Sequence, residues 1–297
     1  MRVTISGATG FIGRGLVAGL LRDGHTVYVL TRRANTPYGS NVGIFYWDPL
    51  AGPPPDDALN RTDAVIHLAG EPVAQRWTAE AKHRIRESRV ASTRHLVQGI
   101  RSVPYPPPVL ICASAVGYYG FRGDEFLTEQ STAGTGFLPE VCQEWEREAD
   151  AASDLLRVAK LRIGMVLGKD GGALALMSPA FKAGIGGRLS NGRQWMSWIH
   201  HDDVIGLLRH ALDGSVSGPI NGVAPNPVTN REFTRHLAAA LHRPAIFPVP
   251  AFAVKALFGE MAEIVLGSQR ILPKVAEATG YRFQHPELAP ALRSIFG

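Results

Sequence analysis

The first half of the chain alternates short apolar runs with stretches of helical periodicity, the arrangement that builds βαβ units around a parallel sheet. Arg2–Ser6 is a predicted strand and Phe11–Asp23 a predicted helix with its apolar residues on one face. Gly24 follows it, in the position where glycine commonly ends a helix. Further strands are predicted at His25–Thr31, Val42–Trp47 and Asp63–Leu68. A long helix over Ala79–Arg101 is stopped by the proline cluster Pro104–Pro108. Val109–Val116 is a fifth strand, a helix runs from about Leu138 to Ala152, and a sixth strand lies near Ala159–Leu167.

After Gly168 the pattern changes. Glycines crowd Gly171–Gly192 and the apolar segments shorten. Thr229 followed by Glu232 reads as a capping box opening a helix to His242. Two more helical patterns lie near Ala251–Leu266 and Gln269–Thr279, and Gly218–Val223 offers a further parallel strand. The expected organisation is a nucleotide-binding half, 1–170, completed by the strand at about 218–223. A substrate-side half, 171–297, follows, with a helical tail from about residue 244.

Composition narrows the class. With 297 residues, 45% of them apolar and 19% charged, the chain is expected to fold around a substantial core. No apolar run reaches the roughly 18 residues that a membrane span needs, and with a strand predicted from Arg2 no signal peptide is expected. Two cysteines, Cys112 and Cys142, do not make a disulfide scaffold, so a reducing cytoplasm is the expected compartment. The net charge of +5 comes from scattered residues without a basic stripe, which argues against nucleic acid as partner and for small anionic ligands.

The first predicted strand runs directly into Gly7-Ala8-Thr9-Gly10-Phe11-Ile12-Gly13 and then a helix. A dinucleotide site uses such glycines for a tight turn, for close approach to the pyrophosphate and for helix–strand packing. The helix N-terminus adds unpaired N–H groups. An acidic residue at the end of the second strand would select the ribose of NAD; Thr31-Arg32-Arg33 stands there instead and suits a 2′-phosphate. NADP(H) is the expected cofactor.

These features, with Leu68-Ala69-Gly70, Ser114…Tyr119-Gly120 and Trp198-Ile199-His200-x-Asp202-Asp203, resemble the extended short-chain dehydrogenase/reductases. The chain is most similar to their epimerase-family members that carry a C-terminal domain of unknown function, some of them labelled cell-division inhibitors. The resemblance spans nearly the whole chain. It implies a Rossmann-type α/β fold, a doubly wound parallel sheet with a smaller C-terminal substrate-side domain. Gly7, Gly10, Phe11, Ile12 and Gly13 would wrap the pyrophosphate, and Thr31 with Arg32 the adenosine phosphate. Leu68 and Ala69 would pass the ribose, Arg84 and Arg89 would reach the cofactor from the following helix, and Val166 would touch its nicotinamide end. The helices at Ala79–Arg101 and Leu138–Ala152 often pair across a homodimer in this superfamily.

Ordinary members carry Tyr-x-x-x-Lys on the helix after the fifth strand, with tyrosine as general acid or base. Here that stretch reads Gly136-Phe137-Leu138-Pro139-Glu140-Val141-Cys142, without either residue. The remaining candidates for catalysis are Ser114, Tyr118 and Cys142. His200-His201-Asp202-Asp203 is not expected to hold a metal, because adjacent residues point apart and at most two could share one ion; an Asp N-cap opening a helix to Leu212 explains it. Arg188, Arg193 and Trp198 would suit an anionic or ring-bearing ligand on an unidentified small molecule. Two functions follow: an NADP(H)-dependent oxidoreductase or epimerase on a polar carbonyl or sugar-like substrate, and a non-catalytic NADP(H)-binding sensor or scaffold.

Overall fold

A computed structural model describes all of residues 1–297. Seven parallel strands form the central sheet: β1 Arg2–Ser6, β2 Thr26–Thr31, β3 Val42–Tyr46, β4 Ala64–His67, β5 Val109–Ala115, β6 Arg157–Ile163 and β7 Gly218–Gly222. Their spatial order is β7-β6-β5-β4-β1-β2-β3. The chain therefore leaves β1 toward β2 and β3, then crosses back to β4 on the other side. That reversal opens a crevice between β1 and β4 at their carboxyl ends, where open α/β sheets bind ligands.

Alternation along the buried strands supplies a core on each face. Ile5, Ile66 and Ile111 pack toward α1 (Phe11–Arg22) and α5 (His201–Asp213), meeting Leu16, Leu20, Val204 and Leu208. Val65, Leu110 and Cys112 point the other way, toward α2 (Ala79–Ser102) and α3 (Phe137–Asp150), against Leu96, Ile100 and Trp145. Helices on both faces of a parallel sheet are the Rossmann-type architecture expected from the pattern.

Three segments depart from their predicted form. The strand expected over Ala159–Leu167 is two: β6 ends at Ile163, and Met165–Gly168 leaves the sheet to pair in parallel with Trp198–His200. Gly164 makes the break, with room for no Cβ between the Ser197 carbonyl and Val223. The helix expected over Ala251–Leu266 is interrupted at Gly259, whose φ of 59° lies in the left-handed region. Pro273 limits the third: Arg270–Ile271 is a short strand beside Phe126–Leu127, and only Lys274–Ala278 is helical.

The tail is not an appendage. Its last helix, Leu288–Phe296, buries Leu288, Leu292 and Ile295 beside Trp198, Phe233 and Leu237. The helix containing Phe233 is α6, Asn230–Ala240, after α4 at Gly172–Lys182. It opens with the expected capping box: Thr229 accepts from the Glu232 N–H, and Glu232 accepts from the Thr229 N–H at 2.8 Å. No helix is long and apolar enough to cross a membrane.

Candidate functional site

The glycine loop sits over the β1–β4 crevice. Gly7 has φ 71°, and a Cβ there would lie 2.6 Å from the Leu68 carbonyl carbon. On Gly13 a Cβ would meet the Ala8 Cα, also at 2.6 Å. Both glycines are thus required by the protein's own packing. Gly10 differs: it is exposed, has φ −76°, and its Cβ would find only the Gly7 carbonyl at 3.2 Å. It is the N-cap of α1 and offers no side-chain cap, so the first N–H groups of that helix face outward without a partner. Position 10 is thus the least enclosed of the three glycines, with the Gly7 carbonyl as its one close neighbour.

The expected loop residues take different roles. Ile12 is partly buried against the core. The Phe11 ring packs on Gly168 and Gly171 and lies 4.4 Å from the His201 ring, while its carbonyl is 3.1 Å from His201 Nε2. Its side chain therefore docks the loop onto the start of α5 and does not face the crevice as a wrapping group. At the end of β2, Thr31 accepts from the Arg33 N–H at 3.1 Å, and Arg32 is exposed and forms no ion pair. Tyr38, which sequence reasoning missed, donates to the Ala8 carbonyl at 2.6 Å and ties this basic turn to the glycine loop. Burial pushes its phenol above the ordinary range, against the opposing Arg14 charge.

On the β4 side, the backbone of Leu68 and Ala69 lies against Gly7. Arg89 is half-buried and pinned to the Ile85 and Glu71 carbonyls at 3.0 Å each, with its guanidinium against Gly70. Burial holds it below the usual guanidinium range. Arg84 lies further out, exposed and paired with Glu80 at 2.7 Å. Val166 is half-buried beside Ile199.

Beyond β5 the polar residues form a closed network. Arg162 grips Glu146 with Nε and Nη2 at 2.7 and 2.8 Å, and its Nη1 donates to the Tyr119 hydroxyl at 2.9 Å. Tyr119 donates to Asn221 at 2.6 Å. Ser114 is buried and donates to Glu146 at 2.7 Å, so its hydroxyl faces α3 and is committed to a carboxylate. Glu146 and Arg162 were missed as a pair. The signal lay in Lys160 and Arg162, two charges at strand spacing within an apolar run. Burial pushes the Tyr119 phenol and the Cys142 thiol up to about 12, so both stay protonated at neutral pH. Tyr118 remains half-buried at the carboxyl end of β5, with the Arg162 guanidinium 3.5 Å from its ring centroid. A separate apolar cluster joins the starts of α2 and α3, with Phe137 5.2 Å from Trp77.

Two expectations for the other side are corrected. Trp198 is fully buried, its indole donating to the Asn226 carbonyl at 3.0 Å, so it cannot touch a ligand. The N-cap of α5 is His200 rather than an aspartate: its Nδ1 accepts from the Asp202 N–H at 3.1 Å. The tail brings a third group, His285, to His200 and Asp202, a convergence that sequence spacing could not show. The two rings stack at 3.8 Å, and the Nδ1 lone pair of His200 is already used. The rings are tilted by 33° to one another, and the buried Nε2 of His200 has no hydrogen-bond partner.

With this geometry in place, the comparisons with known proteins can be read. The model of the NAD dependent epimerase/dehydratase family matches residues 3–223. The chain belongs to that family. A second model, a domain of unknown function termed DUF1731, matches 249–295. The chain is 44% identical over 303 residues to the Arabidopsis thaliana epimerase family protein SDR39U1 homolog, chloroplastic, covering 99% of this chain and 86% of that one. It is 38% identical to epimerase family protein YfhF of Bacillus subtilis, covering 99% and 98%. The crystal structure of human epimerase family protein SDR39U1 with NADPH superposes with a TM-score of 0.91, at 36% identity and 99% coverage of both chains. The matched residues take in the crevice and glycine loop as well as the closed network after β5.

Proposed function

We propose that the chain binds NADP(H) across the β1–β4 crevice and acts as an oxidoreductase or epimerase on a small substrate with a carbonyl or sugar-like carbon–oxygen centre. The observation that carries the cofactor reading is the pairing of exposed Gly10, on an uncapped helix end, with unpaired Arg32 at the end of β2. A pyrophosphate fits the first and a 2′-phosphate the second. The human relative crystallised with NADPH supports the same choice.

A nicotinamide bound here supplies or accepts a hydride. The protein must then orient the carbon–oxygen bond and move a proton at its oxygen. Tyr118 is the favoured donor. Ser114 is engaged by Glu146, the Cys142 thiol is buried and neutral, and Tyr119 is locked between Arg162 and Asn221. The Tyr118 phenol alone among them is half-exposed at the carboxyl end of β5, with a fixed positive charge against its ring. Trp77 and Phe137 would exclude water on the α2–α3 side.

A second reading, a non-catalytic NADP(H) sensor or scaffold, draws support from Phe137 and Cys142 on α3, neither of which can replace a Tyr–Lys pair. Oxidation of NADPH in the presence of a panel of aldehydes, ketones and keto-sugars separates the two. Turnover is expected, and Tyr118→Phe should lower kcat by about 10²–10⁴-fold with NADPH affinity retained. Tight NADPH binding with no turnover across the panel favours the sensor.

A further inference from the structure

Between Asp170 and Asp202, and again between Glu232 and Glu260, the sequence contains no acidic residue. The fold brings these two acid-free segments side by side. Arg243 donates to the Lys182 carbonyl at 3.1 Å, the Val249 N–H to the Arg188 carbonyl at 2.8 Å, and the Ser190 N–H to the Val249 carbonyl at 2.9 Å. Ile185 from the first segment and Ile246, Phe247 and Phe252 from the second are each 75–77% exposed. Aromatic and branched side chains at that exposure project into solvent and do not line a groove.

The charged residues of these two segments are all basic. On α2 four arginines are matched: Arg84 with Glu80, Arg86 with Glu144, Arg94 with Glu148 and Arg101 with Asp154. Lys182, Arg188, Arg243 and Lys255 have no carboxylate partner. Four cations without an ion pair therefore share these two segments with the protruding apolar tips, and carboxylates of other segments, Asp124, Glu260 and Glu263, lie on the Lys255 side.

We propose that this face docks on an anionic lipid surface, with Ile185, Ile246, Phe247 and Phe252 entering the headgroup–acyl boundary and the four cations meeting lipid phosphates. Cations that face an anionic leaflet add to the affinity conferred by buried apolar area. Isolated projecting tips suit a fluid surface, which needs no shape complementarity, better than the structured face of a protein partner. The docking would be peripheral, consistent with the lack of any membrane-spanning helix.

The test is flotation of the full chain with vesicles of pure phosphatidylcholine and of phosphatidylcholine containing 30% phosphatidylglycerol. Binding to the anionic vesicles alone is expected, weakening as salt is raised. Phe247→Ser with Phe252→Ser should reduce it by at least tenfold, and Lys182→Glu with Arg243→Glu by more. A thermal melt checks that each variant folds; removing tips so exposed costs no core packing. The proposal is overturned if wild type stays in solution with both vesicles, binds both equally, or is matched by the folded variants. It is overturned equally if light scattering shows a dimer that the Phe247→Ser and Phe252→Ser pair dissolves, since a second copy would then cover the face.

Discussion

At the scale of single residues, the glycine loop separates positions enclosed by the fold from one that is open to solvent. Gly7 and Gly13 are closed off by backbone below 3 Å, whereas a Cβ on Gly10 would meet only the Gly7 carbonyl, at 3.2 Å. Gly10→Val should therefore leave the melting temperature nearly unchanged while abolishing NADPH binding, as calorimetric titration would show. A folded variant that binds normally would reduce the loop to a turn. Arg32 can be isolated in the same way. Charge-assisted contacts to a 2′-phosphate are worth about 1.5–3 kcal/mol, so Arg32→Ala should lower NADPH affinity roughly tenfold to a hundredfold and leave NADH affinity almost intact. Equal affinity of the wild type for the two cofactors would count against this assignment. Both positions were legible in the sequence, because a glycine spacing and a basic strand end are local features. The state of Ser114 was not: its hydroxyl at the end of β5 has the position of a substrate-orienting group, yet Glu146, 32 residues away, takes it.

At the scale of elements, the joints between segments carry most of the buried polarity. Asp203, in the first turn of α5, is fully buried and accepts from the Tyr281 hydroxyl at 2.9 Å, the Gln284 N–H at 2.7 Å and the His285 N–H at 2.9 Å. Burial and the adjoining carboxylate push the Tyr281 phenol up. One side chain thus latches the segment before the final helix onto the sheet layer. Asp203→Asn replaces an acceptor oxygen by an N–H₂ that faces donors. It should cost about 3 kcal/mol, in line with breaking hydrogen bonds to a buried charge, and speed amide exchange selectively at 281–285. Unchanged exchange there would show that apolar packing alone holds the segment. The strands and helices of the first half were readable because each carries its own periodicity. The breaks at Gly164 and Gly259 were not, since a glycine within an apolar run leaves the hydrophobic pattern unchanged.

At the scale of the whole molecule, two buried histidines couple folding to pH. His67 lies at the end of β4 between Ser6 and Ser92, 2.6 Å from the Ser6 hydroxyl, and burial lowers its pKa to about 4. Burial, followed by the His285 charge, lowers His200 to about 4 as well. Folded chains keep both neutral down to that pH, while unfolded chains take up protons near 6.5. The unfolded state therefore binds more protons between those values, so the stabilisation is complete above pH 6.5 and is lost as pH falls toward 4. His67 alone accounts for a loss on the order of 3 kcal/mol over that range. Chemical denaturation at pH 7.5 and 4.5 should show the decline, and the His67 imidazole should remain neutral by NMR at pH 5. Titration of that ring near 6.5 would rule the coupling out.

The sequence by itself determined the Rossmann-type sheet, the glycine loop and the basic end of β2. Each depends on residues within one strand–turn–helix unit, where chain neighbours are also spatial neighbours. Only the tertiary structure decided which polar groups remain available for chemistry. Glu146, Arg162, Tyr119 and Asn221 come from four separate segments, and their mutual engagement leaves Tyr118 as the half-exposed phenol of that region. It also decided that the tail belongs to the core and that two distant acid-free segments form one face. Charge pairing and burial follow distance in space, and along this chain the partners are separated by tens to hundreds of residues.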